Sequence, residues 1–153
     1  MRLRTKLFGD IQIDDAKIIL FENGIIGFPD LKRFTLIYDE ENADGAINWL
    51  QCIDEPTFAL PVLNPRFINS GYDPYINDEL LKPLGELTED NICILVTITV
   101  PQDIKKLSVN LKAPIIINIE EKKGTQLIVE DDFPVKFEIY NILEAQKEEA
   151  GGK

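Results

Sequence analysis

The sequence has no histidine among its 153 residues. A histidine base, a Ser-His-Asp triad and a histidine-ligated zinc site are therefore excluded. Gly24 and Gly27 form a Gly-Ile-Ile-Gly stretch that lacks the Lys-Ser/Thr ending of a phosphate-binding loop. Neither Ser70 nor Ser108 lies in a Gly-x-Ser-x-Gly elbow. These absences predict a protein that is not an enzyme and that holds no cofactor or metal.

Cysteine is scarce as well, since only Cys52 and Cys93 are present. Two cysteines are too few for a disulfide scaffold in a chain of this size, and both lie in apolar runs. The longest apolar run, residues 92–96, is far shorter than a membrane span. The alternation of basic and apolar residues at 2–7 is typical of a strand and not of a signal peptide. We therefore expect two buried thiols in a soluble, cytoplasmic protein.

Basic residues are outnumbered by acidic ones. Lys and Arg total 16 and Asp and Glu total 27, which gives a formal net charge of -11. Nucleic-acid binding depends on cations that neutralise phosphates, so a direct nucleic-acid partner is not expected. The same charge disfavours anionic membranes and favours a basic partner. Hydrophobic residues make up 44% of the chain, which is enough for one packed core.

Short segments rich in Ile and Val recur along the chain, and each one is closed by turn residues. Too few residues separate them for crossover helices, so the pattern predicts an antiparallel all-β protein, either a sandwich or a small barrel-like fold. Residues 1–143 are predicted to form this single domain. The predicted strands are 3–8, 18–21, 34–38, 47–53, 57–63, 92–100, 107–111, 115–119 and 126–130.

At most one or two short helical turns are expected. Asn77 is a candidate N-cap for a turn at 77–81, which Pro83 would end. The segment 133–143 fits a strand and a helical face equally, and we favour an extended chain up to Ile139. Residues 144–153 are polar and are predicted to be a frayed tail.

The loop at 64–76 carries three aromatic residues among turn formers, namely Phe67, Tyr72 and Tyr75. Aromatic side chains on a loop either plug the end of a barrel or contact a partner. The plug is the favoured role for Phe67, whereas both roles are open for the two tyrosines. Asp73 adds negative charge beside them, so the loop is a candidate seat for a basic protein.

Several segments, taken in order, resemble the FliW family of flagellar assembly factors. FENGIIGFPDLKRF at 21–34 is similar to the family's F-x-x-G-I-P-G-F followed by L-x-x-F. WLQ at 49–51 and TFAL at 57–60 come next. LSVNLKAPIIIN at 107–118 is similar to T-A-N-L-x-A-P-I-V-I-N, and GTQLI at 124–128 to G-x-Q-V-I.

A few positions depart from the family pattern. Ile26 stands where Pro is usual, Ser108 and Val109 replace Thr and Ala, and Lys136 stands where Arg is common. None of these changes removes a charge or opens a core.

The motifs also have structural interpretations. Gly24 and Gly27 are predicted to make a tight bend with positive φ, with Ile25 and Phe28 buried. We therefore assign the motifs mainly to the fold rather than to partner contact.

The resemblance implies a small β-barrel-like binding protein without catalysis. Proteins of this kind bind flagellin, and when flagellin is exported they bind CsrA, a small basic RNA-binding homodimer that represses flagellin translation. The implied antagonism is allosteric and relieves repression of the flagellin mRNA. The candidate contacts for the repressor are Phe67, Tyr72, Asp73 and Tyr75, with Asp39, Glu40 and Glu41 as a steering rim.

Two rival functions remain at this point. A small-ligand-binding barrel or a hydrolase of the barrel type would need a roomy interior cavity with convergent polar groups. An RNA-binding barrel would need basic and aromatic residues interleaved on one sheet face. A packed interior and a negative face would argue against both.

Overall fold

The structure, a computed structural model, describes residues 1–38 and 47–151, with side chains as far as residue 146. The sequence-predicted rim of Asp39, Glu40 and Glu41 lies outside these residues. Two α-helices, α1 (Asp78–Leu81) and α2 (Tyr140–Gly151), occur in the described part of the chain. Its strands are β1 (Arg2–Thr5), β2 (Gly9–Gln12), β3 (Ile19–Leu20), β4 (Arg33–Tyr38), β5 (Asn48–Cys52), β6 (Ala59–Leu63), β7 (Ile92–Thr99), β8 (Ser108–Val109), β9 (Ile115–Asn118), β10 (Lys123–Gln126) and β11 (Phe137–Glu138).

A seven-stranded closed barrel forms the centre of the molecule. Its strands follow the order β7-β6-β5-β4-β3-β10-β9, and β9 pairs back with β7 to close the ring. Every pairing in the ring is antiparallel except that of β3 with β10. Closure removes the free sheet edges that an open sheet of this size would expose. The predicted all-β, barrel-like fold is confirmed.

The barrel interior is filled by apolar side chains at alternate positions of its strands. Phe34, Leu50 and Val62 are fully buried there, because successive strand residues point to opposite faces. Phe21 packs edge-on against Phe34, with the ring centroids 5.2 Å apart. Cys52, one of the two free thiols, belongs to the same cluster. The interior is thus a packed core.

A second core lies on the outer face of β6 and β7. The fully buried Leu63, Val96 and Val109 belong to it, and β8 and β11 extend the sheet beyond β7 to support it. The cover comes from the loop that follows β6 and from α2, which contributes Ile142 and Leu143. This second core places the loop at 64–76 against the barrel wall.

The β1–β2 hairpin packs on the barrel through a third, smaller cluster of Leu3, Ile13 and Ile53. Sequence reasoning missed β2, because Gly9-Asp10 is typical of a turn. Gly9 instead begins the strand, with a φ of 66°, and Thr5 Oγ1 accepts a hydrogen bond from Phe8 N to close the turn before it.

The C-terminal segment differs from the expectation of a frayed tail. The chain is extended at Phe137–Glu138, as predicted, but α2 then runs from Tyr140 to Gly151, through most of the segment 144–153. Tyr140, Ile142 and Leu143 pack against the second core, and this packing stabilises a helix that the sequence alone would leave marginal.

The β9–β10 hairpin turns earlier than predicted. Asn118 Oδ1 accepts hydrogen bonds from Glu120 N and Glu121 N, each at 3.0 Å, and Lys122 takes a φ of 56°. β10 therefore begins at Lys123, and the predicted strand at 126–130 is wrong by three residues at its start. Asn118 is fully buried, and its side chain caps this turn.

Candidate protein-binding surfaces

The loop at 64–76 is held in place by Tyr72, which is only 1% exposed. Its hydroxyl donates a hydrogen bond to Leu111 O at 2.7 Å, and its ring centroid lies 4.8 Å from that of Phe133. Burial, with a smaller contribution from the Asp131 carboxylate, raises the pKa of Tyr72 to about 12. Tyr72 is therefore the plug, and it is not available for direct contact with a partner.

Phe67, for which the plug was the favoured role, is exposed instead. It ends the 3-10 turn Pro65–Phe67, where Asn64 Oδ1 caps Arg66 N at 2.9 Å and Pro65 takes the buried position. The ring of Phe67 is 43% exposed, and its backbone oxygen accepts a hydrogen bond from Gln146 Nε2 of α2 at 2.8 Å. The expected role of Phe67 is wrong because the short turn points its side chain outward.

Tyr75 and Asp73 are also exposed, and Tyr75 reaches 75%. The backbone of Tyr75 is fixed, because its N–H donates to Asp131 Oδ1 at 3.1 Å and to Asp131 Oδ2 at 3.3 Å. Lys112 Nζ in turn donates to Asp131 O at 2.6 Å. We call Phe67, Asp73 and Tyr75 the loop surface. Three of the four predicted residues of the loop therefore share an exposed segment, and Tyr72 lies beneath it.

A tight bend precedes β4, and its glycines are required by its geometry. Gly24 has a φ of 67°, and a Cβ there would lie 2.4 Å from Phe28 O. Gly27 has a φ of 88°. Ile25 and Phe28 exchange backbone hydrogen bonds across the bend, at 3.3 Å and 2.8 Å. Ile25 is buried as predicted, but Phe28 is 46% exposed, so the expectation that it is buried is wrong.

Ile26 is presented to solvent at the tip of this bend. Its side chain is 46% exposed, while its N–H donates to Gln126 Oε1 at 2.9 Å. Gln126 Nε2 donates to Ala113 O at 3.1 Å, so one side chain ties the bend to the segment before β9. Sequence reasoning missed this pairing, because the two residues are 100 positions apart.

A shallow depression of about 330 Å³ adjoins Phe28. Phe28 and Phe58 pack with their ring centroids 4.7 Å apart. We call Ile26, Phe28 and this depression the bend surface. The depression is lined by Gly27, Phe28, Pro29, Asp30, Leu31, Glu55 and Phe58.

The remaining chemistry of the chain is sparse. Burial raises the pKa of Cys52 and of Cys93, so both thiols stay protonated at neutral pH. Within residues 1–38 and 47–151, no cluster of three or more Cys, Asp or Glu side chains has the arrangement to hold a metal ion. No helix in the described part of the chain is both long and apolar enough to cross a bilayer.

Comparison with known sequences decides the family. The sequence model described as FliW protein matches residues 2–139, which include both surfaces. The chain belongs to the FliW family. The flagellar assembly factor FliW of Lachnospira eligens is 50% identical over 150 residues, which are 96% of this chain and 99% of that protein. The FliW of Lachnoclostridium phytofermentans is 44% identical over 155 residues, covering 100% of this chain and 99% of the relative.

A solved FliW structure has the same fold. The crystal structure of the flagellar assembly factor FliW superposes with a TM-score of 0.84 at 28% identity, and covers 92% of this chain and 97% of that one. The resemblance drawn from the motifs is confirmed. The FliW family model ends at residue 139, immediately before α2 begins.

Proposed function

We propose that this chain is a flagellar assembly factor that works by binding proteins. It binds flagellin, and when flagellin is scarce it binds a CsrA-type translational repressor. Family membership over residues 2–139 carries this proposal, because the curated relatives are named as flagellar assembly factors. The packed barrel interior favours surface binding over the rival barrel carrier or hydrolase, which would need an interior cavity.

The charge of the chain supports a basic partner. A formal charge of -11 attracts a cationic dimer and speeds its association. The loop surface combines the exposed aromatics Phe67 and Tyr75 with the carboxylate of Asp73. Asp132 is exposed in the neighbouring segment. Aromatic anchors with an acidic rim suit a basic protein, so the loop surface is the proposed seat of the repressor.

The proposed mechanism is a switch between partners. Flagellin occupies the chain while it accumulates in the cell. Its export frees the chain, which then captures the repressor away from the repressor's RNA-binding face. The repressor consequently releases the flagellin transcript. The chain performs no covalent step in this cycle.

Calorimetric titration tests the proposal. The full chain is titrated with a purified CsrA-type dimer and, separately, with flagellin, at two salt concentrations. Binding of both proteins is expected, and the absence of heat with either partner overturns the proposed function. The location of the repressor site is tested by repeating the titration with the CsrA-type dimer on variants of the loop surface.

The double variant Tyr75→Ala with Asp73→Lys tests the loop surface. It removes one exposed aromatic and reverses one charge, so repressor affinity should fall by about tenfold or more. Leu7→Ala with Asp10→Lys is the charge-matched control on the β1–β2 hairpin, where both residues are exposed. Equal affinities of the loop variant and this control would show that the loop surface is not the repressor site. Tyr72→Ala is unsuitable as a probe, because it would remove the plug.

A further inference from the structure

We propose that the bend surface is a second docking site, which takes a large apolar side chain from a cationic segment of a protein partner. This inference rests on the proposed function, in which that partner is flagellin. The loop surface is assigned to the repressor, whereas the bend surface offers an apolar depression of the kind that receives an apolar side chain of a partner. The sequence motif at 21–34 is thus a recognition element as well as a structural one.

Exposure of apolar groups is the first support. Ile26 and Phe28 are close neighbours in the chain, and each exposes nearly half of its side chain. Phe28 and Phe58 pack on each other and both line the depression, so the exposed ring of Phe28 belongs to a concave site. Contiguous apolar surface on a small protein marks interaction sites, and a volume of about 330 Å³ is that of a small cleft.

The rigidity of the bend is the second support. The conformation of Gly24, the backbone pairing of Ile25 with Phe28 and the amide of Gln126 fix it from three directions. The following chain is held too, because Asp54 Oδ2 accepts from the N–H groups of two successive residues, at 3.0 Å and 2.9 Å. A surface ordered before binding loses little entropy when it binds.

The charge around the depression gives the chemistry of the occupant. Asp30 and Glu55 both line it and both are exposed. The charge of nearby Asp54 is offset by Arg33, whose Nε lies 2.8 Å from Asp54 Oδ1. Lys32 is an exposed cation on the same segment, yet it does not line the depression. An apolar group flanked by Lys or Arg therefore complements the site better than one flanked by acids.

Two substitutions test the site, and each places a carboxylate on the apolar surface. Phe28→Glu removes the ring beside the depression, and Ile26→Glu changes the tip of the bend without touching the Phe28–Phe58 pair. Ile104→Glu is the matched control, because Ile104 is 48% exposed and lies in the turn between β7 and β8. Thermal unfolding identifies any variant that fails to fold. Each folded variant is titrated with flagellin and with the CsrA-type dimer.

The expected result is a selective loss. Flagellin affinity should fall by about tenfold or more in Phe28→Glu and Ile26→Glu, and should stay within about twofold of wild type in Ile104→Glu. Repressor affinity should be unchanged by the bend substitutions. If wild type binds flagellin and folded Ile26→Glu binds it equally well, the inference is overturned while the proposed function stands. If the wild-type chain binds no flagellin, both the inference and the proposed function are overturned. If the wild-type chain itself forms a homodimer and Phe28→Glu dissociates it, the bend surface binds a second copy of the chain and the inference is overturned.

Discussion

Tyr72 connects the loop at 64–76 to the second core through both of its chemical groups. The ring packs on Phe133 inside a cluster that also includes Leu63 and Val96, and the hydroxyl satisfies the carbonyl of Leu111. A buried phenol that keeps its hydrogen bond contributes to stability, whereas a lost partner leaves a buried carbonyl unsatisfied. The exposed residues of the loop surface therefore depend on this one buried residue for their position.

Replacing Tyr72 with Phe should lower the free energy of unfolding by about 1–2 kcal/mol, because the Leu111 carbonyl loses its donor. Urea unfolding monitored by circular dichroism measures the change. Tyr75→Phe is the control, since Tyr75 is exposed and its side chain takes no part in the second core. Equal stabilities for the two variants would contradict the role given to the hydroxyl.

The same residue predicts a loss of stability at high pH. The pKa of Tyr72 is raised from 10.0 to about 12 in the folded protein. Between these values the unfolded chain ionises while the folded chain does not, so the unfolded state gains stability as the pH rises. The contribution is complete below pH 10, and up to about 2–3 kcal/mol is lost by pH 12. Tyr72→Phe should show a shallower decline than wild type over this range in unfolding measurements, and parallel curves would refute the assignment.

Gly124 is the residue at which a single methyl group should be costly. A Cβ at this position would lie 2.6 Å from Cζ of Phe21, a ring that is fully buried against Phe34. Gly124→Ala should therefore destabilise the protein by about 1–3 kcal/mol, because the ring has no free space to move into. Gly71→Ala is the control, since its Cβ would meet only Asn69 Oδ1 at an ordinary 3.7 Å. A thermal melt that shows the two variants equally stable would refute the close packing.

Among the elements, the strands could be predicted from the sequence more completely than the turns that connect them. Alternation identifies β4, because its inner residues such as Phe34 fill the barrel. β7 is identified by a continuous apolar run instead, because Leu95 packs in the barrel while Val96 and Ile98 pack in the second core. β10 is shifted from its predicted place, since its start depends on the capping of the turn by the buried Asn118 and on a positive φ at Lys122. Neither requirement has a periodic signal in the sequence.

For the candidate surfaces too, the sequence pattern predicts some features, whereas others depend on contacts between residues far apart in the chain. The sequence predicts the loop at 64–76 as a candidate contact surface, because that loop combines turn formers with aromatic residues, and it assigns the motif at 21–34 mainly to the fold. It did not show which aromatics are buried: Tyr72 is inside, whereas Phe67 and Phe28 are outside. Burial is decided here by partners that are distant in sequence, such as Leu111 for Tyr72. Local pattern contains no information about such contacts.

Helix α2 depends on packing against the second core for its stability. Its contacts with the second core include Ile142 and Leu143, while Ala145 is exposed. Ala145→Gly should lower the free energy of unfolding by about 1 kcal/mol, because glycine is a much weaker helix former than alanine and no charge changes. Ala145→Gln is the control, since glutamine at an exposed helical position is a far better helix former than glycine. Chemical denaturation of both variants measures the difference. Indistinguishable midpoints would mean that α2 does not unfold together with the barrel.

At the scale of the whole molecule, the two proposed surfaces rely on different interactions. The loop surface relies mainly on electrostatic attraction, and the bend surface relies mainly on apolar contact. The formal charge of -11 acts on any basic partner from a distance, and it falls off over a screening length of about 8 Å at physiological ionic strength. The depression at the bend adds apolar contact, through Phe28, Leu31 and Phe58. Electrostatic attraction thus governs how fast a partner arrives, and apolar packing governs how long it stays.

This division predicts different salt responses for the two partners. Raising the salt from about 0.05 M to about 0.5 M should slow association of the CsrA-type dimer by about tenfold or more, since screening removes the long-range attraction. Flagellin, which we assign to the apolar depression, should lose less affinity over the same range. Stopped-flow association rates and calorimetry, measured on one protein preparation, give the two slopes. A repressor association rate that does not change with salt would show that the net negative charge has no steering role.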